Sequence, residues 1–171
     1  IENFLAQLKK NTIVVIDECY IHFLGPDWQS HSCMDLIKKF PNLIVIRSFS
    51  KIYGMASLRL GFFVTSLELM ESLFESYTIK EYAVSSLALA AGIGALGDLD
   101  HLEQTRAEVR RLKNKMADAA EKLGCQFLSR HGNFGVFLFP PSYPLKKLVR
   151  NLYPLRVTSN ILRGTPYVRF S

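Results

Sequence analysis

The sequence predicts an α/β fold, in which helices cover a sheet of buried strands, followed by a smaller α+β module. Three observations predict it. Apolar, β-branched runs recur in the first third of the chain, at TIVVIDECY, NLIVIRSFS and LGFFVTS, and such runs are typical of strands covered on both faces. Helical patterns lie between and after these runs. After Gly124 the sequence pattern changes to that of short strands around one further helix, which is typical of an α+β arrangement.

The elements follow one another in a simple order. Strands are predicted within residues 12–20, 42–50 and 60–66, and later within 125–130, 134–139 and 167–171. The tail of an amphipathic helix that began earlier is predicted within residues 1–12. Further helices are predicted in a short stretch of 30–42 that Pro41 ends, and within 66–79, 84–97, 98–124 and 143–153.

The helix over residues 98–124 is the clearest, because Asp98 or Asp100 can cap it and Gly124 can end it. We place the domain boundary inside it. Residues 1–110 then form the C-terminal portion of a large three-layer α/β/α domain, and residues 111–171 form a small C-terminal domain.

Composition limits the classes of protein to consider. The 171 residues are 49% hydrophobic and 21% charged, which is globular composition. No run approaches the roughly 18 uncharged apolar residues of a membrane span, and the apolar stretch in 84–97 is predicted to be a core helix. The net charge of +6 comes from dispersed basic residues, so we expect no nucleic-acid partner.

Cysteine and histidine patterns argue against a metal site or a disulfide framework. Cys19, Cys33 and Cys125 are widely spaced and form no CxxC motif, so reduced thiols in the cytoplasm are the expectation. The four histidines show no ligand spacing with a carboxylate, so no metal is predicted.

Reactive side chains gather where the predicted strands end. In open α/β sheets, ligands bind beyond the carboxyl ends of the strands. Polar groups stand at three such positions. Asp17, Glu18 and Tyr20 follow the first strand, Ser48, Ser50 and Lys51 follow the second, and Arg59 lies just before the third.

These groups together describe one kind of pocket. A desolvated lysine amine is a nucleophile towards carbonyls. Serine hydroxyls and an arginine suit a phosphate group, and a carboxylate can keep a pyridine nitrogen protonated. The set therefore predicts a site for pyridoxal 5'-phosphate.

The same residues carry a resemblance to a known family. VVIDECY followed by IRSFSKIYGMASLRLGFF resembles the cofactor-binding signature of fold-type I pyridoxal-phosphate enzymes. It is most similar to class I/II aminotransferases of the histidinol-phosphate aminotransferase branch. HGNFGVFLF and GTPYVRFS resemble segments of that family's small domain.

The resemblance implies a role for each cofactor residue. Lys51 would form a Schiff base with the cofactor and, once released, shuttle a proton at the substrate α-carbon. Asp17 would pair with the pyridinium nitrogen and Tyr20 would hydrogen-bond the phenolic oxygen. The phosphate would be held by Ser48, Ser50 and Arg59.

The resemblance also implies the partners. Arg169 matches the arginine that grips an anionic group of the substrate, and Arg156 a second arginine near the substrate's far end. The ligands would be a small-molecule amino donor and a 2-oxoacid acceptor, and the full-length protein would be a homodimer.

Some family features have no counterpart in these 171 residues. They are the glycine-containing turn around the phosphate, the aromatic residue stacked on the ring, the asparagine on the ring oxygen and the final helix. We therefore expect a fragment that lacks its N-terminal part and extreme C-terminus and has no turnover alone.

Three functions remain open from the sequence. The first is transamination by a ping-pong mechanism, with a histidinol-phosphate-like donor. The second is decarboxylation of a phosphorylated amino acid, which could use the same lysine, aspartate and phosphate clamp. The third is an aminotransferase-like ligand-sensing domain of a transcriptional regulator.

Overall fold

The computed structural model describes residues 1–76, 83–152, 159–161 and 167–170. Contacts between Cα atoms divide the chain into two units, Ile1–Glu103 and Gln104–Ser171. This division falls inside the long helix, as the predicted boundary near residue 110 does. The extent of the two domains stays a prediction. Within the described stretches, no helix is both long and apolar enough to cross a membrane.

The first unit is built on a three-stranded sheet. Its strands are β1 (Val14–Asp17), β2 (Leu43–Ser48) and β3 (Gly61–Val64), in the order β1-β2-β3. β1 runs parallel to β2, and β3 runs antiparallel to it. The carboxyl ends of β1 and β2 and the amino end of β3 therefore meet at one edge, as the sequence predicts.

One face of this sheet is covered by the N-terminal part of the chain. Leu43 and Val45 of β2 are fully buried there, against Leu5 of helix α1 (Glu2–Leu5) and Ile37. Alternation along the strands sends Ile44 and Ile46 to the other face.

The predicted short helix in residues 30–42 is instead two 3₁₀ helices, Trp28–His31 and Met34–Lys38. Ser32 between them is extended, with φ −73° and ψ 143°. The Ser32 hydroxyl and the Cys33 amide both donate to the carboxylate of Glu18, which holds the chain out of a continuous helix.

The connection between β2 and β3 forms a second buried cluster with the helices that follow. Phe49, Ile52 and Leu60 pack against Ala88 of helix α3, which spans Ser86–Gly97. Helix α2 covers Leu67–Glu75, and helix α4 covers Leu99–Lys122. The Ser66 and Ser85 hydroxyls cap α2 and α3 by accepting from the amides three residues on.

Helix α3 differs from the predicted core helix. Ala88 and Gly92 are buried, whereas Leu87 is 71% exposed and Ile93 is 75% exposed. Only one narrow side of α3 packs on the described residues, so its uniform hydrophobicity does not correspond to uniform burial.

The second unit contains an antiparallel sheet and one further helix. The elements are β4 (Gln126–Leu128), β5 (Gly135–Leu138), helix α5 (Leu145–Leu152), β6 (Ser159–Ile161) and β7 (Tyr167–Phe170). The strands pair in the order β4-β5-β7-β6. The core comprises Ala120 of α4 together with Phe137, Phe139 and Val168. The strand β6 was not predicted, because its sequence shows neither alternation nor an apolar run.

Candidate active site

The predicted cofactor residues lie at one edge of the first sheet. Asp17 is the last residue of β1 and stands opposite Ile46 of β2. Ser48 is the last residue of β2 and stands opposite Gly61, the first residue of β3. A Cβ atom on Gly61 would lie 2.9 Å from the Arg47 carbonyl oxygen, so this close strand approach requires glycine.

Lys51 is presented from a loop that is anchored on both sides. The Gly54 amide donates to the Lys51 carbonyl at 3.1 Å, in a turn that uses the positive φ of Gly54, 68°. The Met55 amide donates to the Phe49 carbonyl at 3.2 Å, and the side chain of Ile52 is fully buried. These contacts fix the backbone from which the Lys51 side chain projects.

The amine of Lys51 faces the ring of Tyr20. Lys51 Nζ lies 5.3 Å from the centre of that ring, within the range of a cation–π contact. Lys51 also adds to the lowering of the Asp17 pKa through its charge. Lysine, aspartate and tyrosine therefore form one electrostatic group.

The carboxylate of Asp17 is held by Cys19. The Cys19 amide donates to Asp17 Oδ1 at 2.9 Å. The hydrogen bond from the Cys19 side chain is the largest cause that lowers the pKa of Asp17, followed by the bond from this amide, and burial opposes both. Burial, and then the hydrogen bond to Asp17, raises the pKa of the Cys19 thiol to about 11. At neutral pH the carboxylate is therefore ionised and the thiol is protonated.

A cleft of about 390 Å³ opens beside this group. Ser48, Ser50 and Arg59 line it, and so does Cys19. The Ser50 amide donates to the Ser48 hydroxyl oxygen at 3.1 Å, which orients that hydroxyl. Asp17, Tyr20 and Lys51 do not line the cleft, so the predicted residues form two adjoining parts that meet at Cys19.

Arg59 stands in a backbone conformation that is rare for arginine. Its φ of 53° and ψ of 40° are left-handed, and it is the one non-glycine residue with positive φ in the described part of the chain. Its Nη1 donates to the Ala56 carbonyl at 3.1 Å, and its side chain is otherwise exposed. Strain of this kind persists where the surrounding structure imposes it, and it is enriched at functional sites.

The two predicted substrate residues belong to the second unit. Arg169 lies on β7 in the second unit, opposite Val136 of β5 and Asn160 of β6. Its guanidinium carbon is 4.4 Å from the centre of the Phe134 ring, and its buried Nε has no hydrogen-bond partner among the described residues. Arg156 lies outside the described residues.

Two features of the site were missed from sequence. One is Cys19, whose effect on Asp17 requires the local turn geometry. The other is a buried ion pair between Glu18 and Arg47, whose only sequence signal is an arginine inside an apolar strand, LIVIRS. In the described ranges, no cluster of three or more His, Cys, Asp or Glu side chains could hold a metal ion.

Comparison with known proteins finds a matching family and relatives with similar sequences. The family model for aminotransferase class I and II matches residues 1–165. Histidinol-phosphate aminotransferase of Symbiobacterium thermophilum is 38% identical over 134 residues, covering 78% of this chain and 36% of that protein. Histidinol-phosphate aminotransferase 1 of Cupriavidus pinatubonensis is 37% identical over 134 residues, covering 78% of this chain and 35% of that protein.

A solved structure has a fold similar to that of this chain. The crystal structure of histidinol-phosphate aminotransferase from Sinorhizobium meliloti, in complex with pyridoxal-5'-phosphate, superposes with a TM-score of 0.81 at 22% identity. The match covers 99% of this chain and 47% of that one, and it confirms the predicted α/β fold class. The chain spans little more than a third of the length of the two relatives above.

Proposed function

Because the chain belongs to the aminotransferase class I and II family, we propose that the full-length protein is a pyridoxal-phosphate-dependent aminotransferase. It moves an amino group from an amino acid or amino phosphate to a 2-oxoacid. The names of its relatives favour a donor that resembles histidinol phosphate. The observation that carries the proposal is the placement of the Lys51 amine over the Tyr20 ring, at the sheet edge where Asp17 ends β1 and where Ser48 and Arg59 line a cleft.

The described residues fit the cofactor at each of its ends. Asp17 has a lowered pKa and so stays ionised, as a partner for a protonated ring nitrogen must. Tyr20 is the residue proposed to hydrogen-bond the ring's phenolic oxygen. Hydroxyls and a guanidinium are the donors that a phosphate needs, and Ser48, Ser50 and Arg59 supply them at the cleft.

The chemistry divides between the cofactor and the chain. Bound pyridoxal phosphate supplies an electron sink for the bonds of the substrate α-carbon. Lys51 would hold the cofactor through Nζ. When a substrate is bound and Nζ is free, Lys51 would be the base that accepts the proton leaving the α-carbon. The donor leaves as its 2-oxo product before the acceptor binds, which is a ping-pong order.

The small C-terminal unit is proposed to supply substrate recognition. Arg169 would bind an anionic group of the substrate, and its Nε, which no described residue accepts from, is a donor that could serve this contact. Arg156 would contribute a second positive charge. The full-length protein is proposed to act as a homodimer on small-molecule ligands.

Reductive trapping tests the proposal. The full-length protein is incubated with pyridoxal phosphate, reduced with borohydride and mapped by peptide mass. We expect the mass tag on Lys51, its loss in Lys51→Ala, and no change in Lys38→Ala, which removes an exposed lysine of the same unit. A tag on another lysine, or no uptake, would contradict the proposal.

Product analysis separates the proposed reaction from its nearest rival. A transaminase releases the 2-oxo product of its donor, whereas a decarboxylase releases carbon dioxide from a phosphorylated amino acid with the same cofactor. Release of carbon dioxide from such an amino acid, with no 2-oxo product from any donor, would replace the proposed reaction and leave the cofactor site intact.

A further inference from the structure

A buried ion pair lies just behind the residues proposed to hold the cofactor. Glu18 follows Asp17 in sequence, and Arg47 precedes Ser48. Since neighbouring residues of a strand point to opposite faces, the pair occupies the sheet face opposite Asp17 and Ser48. Both side chains are almost completely buried, with residue exposures of 6% for Glu18 and 7% for Arg47.

The contacts of this pair are short and numerous. Arg47 donates to Glu18 Oε2 through Nε at 3.1 Å and through Nη2 at 2.9 Å. The Ser32 hydroxyl donates to Oε2 at 2.9 Å and accepts from Arg47 Nη2 at 2.7 Å, and the Cys33 amide donates to Oε1 at 2.6 Å. The guanidinium also stacks on Trp28, 4.5 Å from the ring centre.

Stability alone is a weak reason for such a pair. Removing two charges from water is costly, and buried ion pairs are often replaceable by apolar residues of similar size. An apolar pair would make no directional contacts. The Glu18 carboxylate, by contrast, accepts four directional hydrogen bonds, and these fix the positions of the groups that donate them. A role in positioning therefore accounts for the pair better than a role in stability.

The pair connects two strand ends that β-sheet hydrogen bonds hold only partly. The Glu18 amide donates to the Ile46 carbonyl at 2.9 Å, after which β1 turns away from β2. The Glu18–Arg47 contact continues the connection beyond that point. Asp17 and Ser48 are the next residues on either side of it.

We propose that Glu18 and Arg47 are positioning residues that set the separation between the two ends of the cofactor site. On the proposed function, which this inference rests on, Asp17 meets the ring nitrogen and Ser48 meets the phosphate of one rigid ligand. Both contacts form together only when the strand ends are correctly spaced. Loosening the ion pair therefore weakens the binding of a ligand that contacts both Asp17 and Ser48. It leaves the binding of a ligand that contacts only one of them unchanged.

The experiment compares ligands that reach both ends with ligands that reach one. The full-length Glu18→Gln variant is titrated with pyridoxal phosphate by absorbance. It is also titrated with pyridoxal, which lacks the phosphate, and with inorganic phosphate, by the shift in melting temperature. We expect the Kd for pyridoxal phosphate to rise about tenfold or more, because small misplacements at rigid sites have effects of this size. Affinity for the two partial ligands stays within about twofold of the unsubstituted protein.

Matched variants separate positioning from charge and from folding. Glu2→Gln removes the exposed 2.6 Å bridge to Lys39 in the same unit, and it should change no affinity. Ser32→Ala removes the hydroxyl that joins Glu18 to Arg47, and it should give the same selective loss at about threefold. If Glu18→Gln does not fold, Ser32→Ala decides the question.

Two results would overturn the inference. Equal affinity for pyridoxal phosphate in Ser32→Ala, Glu18→Gln and the unsubstituted protein would show that the pair sets no spacing. A parallel loss for all three ligands would show that the variants only destabilise the unit. Failure of the unsubstituted protein to take up the cofactor would instead reject the proposed function, and this inference with it.

Discussion

The amine of Lys51 lies 5.3 Å from the centre of the Tyr20 ring. The two residues come from different connections, one after β1 and one after β2, and 31 positions separate them in sequence. The contact therefore depends on the parallel pairing of β1 and β2, which brings both strand ends to the same edge. It also gives Tyr20 two separable contributions, the face of its ring and its hydroxyl.

Substitution of Tyr20 should separate these contributions. Tyr20→Phe keeps the ring over Lys51 and removes the hydroxyl proposed to bind the cofactor's phenolic oxygen. One lost hydrogen bond is worth about 1 kcal/mol, so the Kd for pyridoxal phosphate should rise about fivefold. Tyr20→Ala should have a larger effect, because it also removes the ring. Absorbance titration measures both, and an unchanged Kd in Tyr20→Phe would reject the role of the hydroxyl.

The hydrogen bond from Cys19 should set the acid limit of cofactor binding. The pKa of Asp17 is lowered, first by the Cys19 side chain, so the ionised carboxylate persists above its folded-state pKa and is lost as the pH falls through it. Cys19→Ala removes the largest cause, and the pKa should return towards its ordinary value near 3.8. Release of the cofactor on acid titration should then begin at higher pH.

Cys19→Ser is the matched control for this experiment, because its hydroxyl can still donate to Asp17. We expect its acid limit to lie nearer that of the unsubstituted protein. The same limit in all three proteins would show that the thiol does not govern the ionisation of Asp17.

Arg59 should show opposite effects on stability and on binding. Its left-handed backbone costs an L-residue about 1–2 kcal/mol, whereas glycine adopts it freely. Arg59→Gly should leave the melting temperature of the cofactor-free protein unchanged or raise it, since the greater freedom of unfolded glycine offsets part of the gain. Affinity for pyridoxal phosphate should fall about tenfold or more, because a charged phosphate contact is lost.

Arg59→Lys gives the complementary result. It keeps the positive charge and the strained backbone, so the stability should match that of the unsubstituted protein with an intermediate affinity. A lower melting temperature of cofactor-free Arg59→Gly than of the unsubstituted protein would contradict the predicted effect on stability.

Gly61 should not tolerate a side chain, because the backbone of β2 lies close to it. A Cβ atom would meet the Arg47 carbonyl oxygen at 2.9 Å, so Gly61→Ala should lower the free energy of unfolding by about 1–3 kcal/mol. Gly94→Ala is the control, since a Cβ there meets nothing within 4 Å and alanine favours helix α3 by about 1 kcal/mol. Urea unfolding measures both, and similar effects of the two changes would contradict the close approach.

Much of the site could be predicted because local chemistry marks it. Asp17, Ser48 and Lys51 stand directly after apolar runs, and the rule that ligands gather at strand ends needs no tertiary information. The resemblance drawn from these motifs is confirmed by the family model over residues 1–165. The roles of the individual residues stay predictions.

The features that escaped prediction depend on contacts distant in sequence. Glu18 and Arg47 are 29 positions apart, and only the register of β1 against β2 brings them together. The same Glu18 carboxylate draws in Ser32 and Cys33, so a stretch with helical composition forms two 3₁₀ helices. Helical periodicity contains no information about a carboxylate elsewhere in the chain.

The apolar sides of α3 have a practical consequence. Leu87 and Ile93 present large hydrocarbon surfaces to water in this chain, and adjoining apolar surface of this kind promotes association. We expect a solution of the 171-residue polypeptide alone to scatter more light as its concentration rises. Replacing Leu87 and Ile93 with glutamate would make such a preparation tractable for spectroscopy.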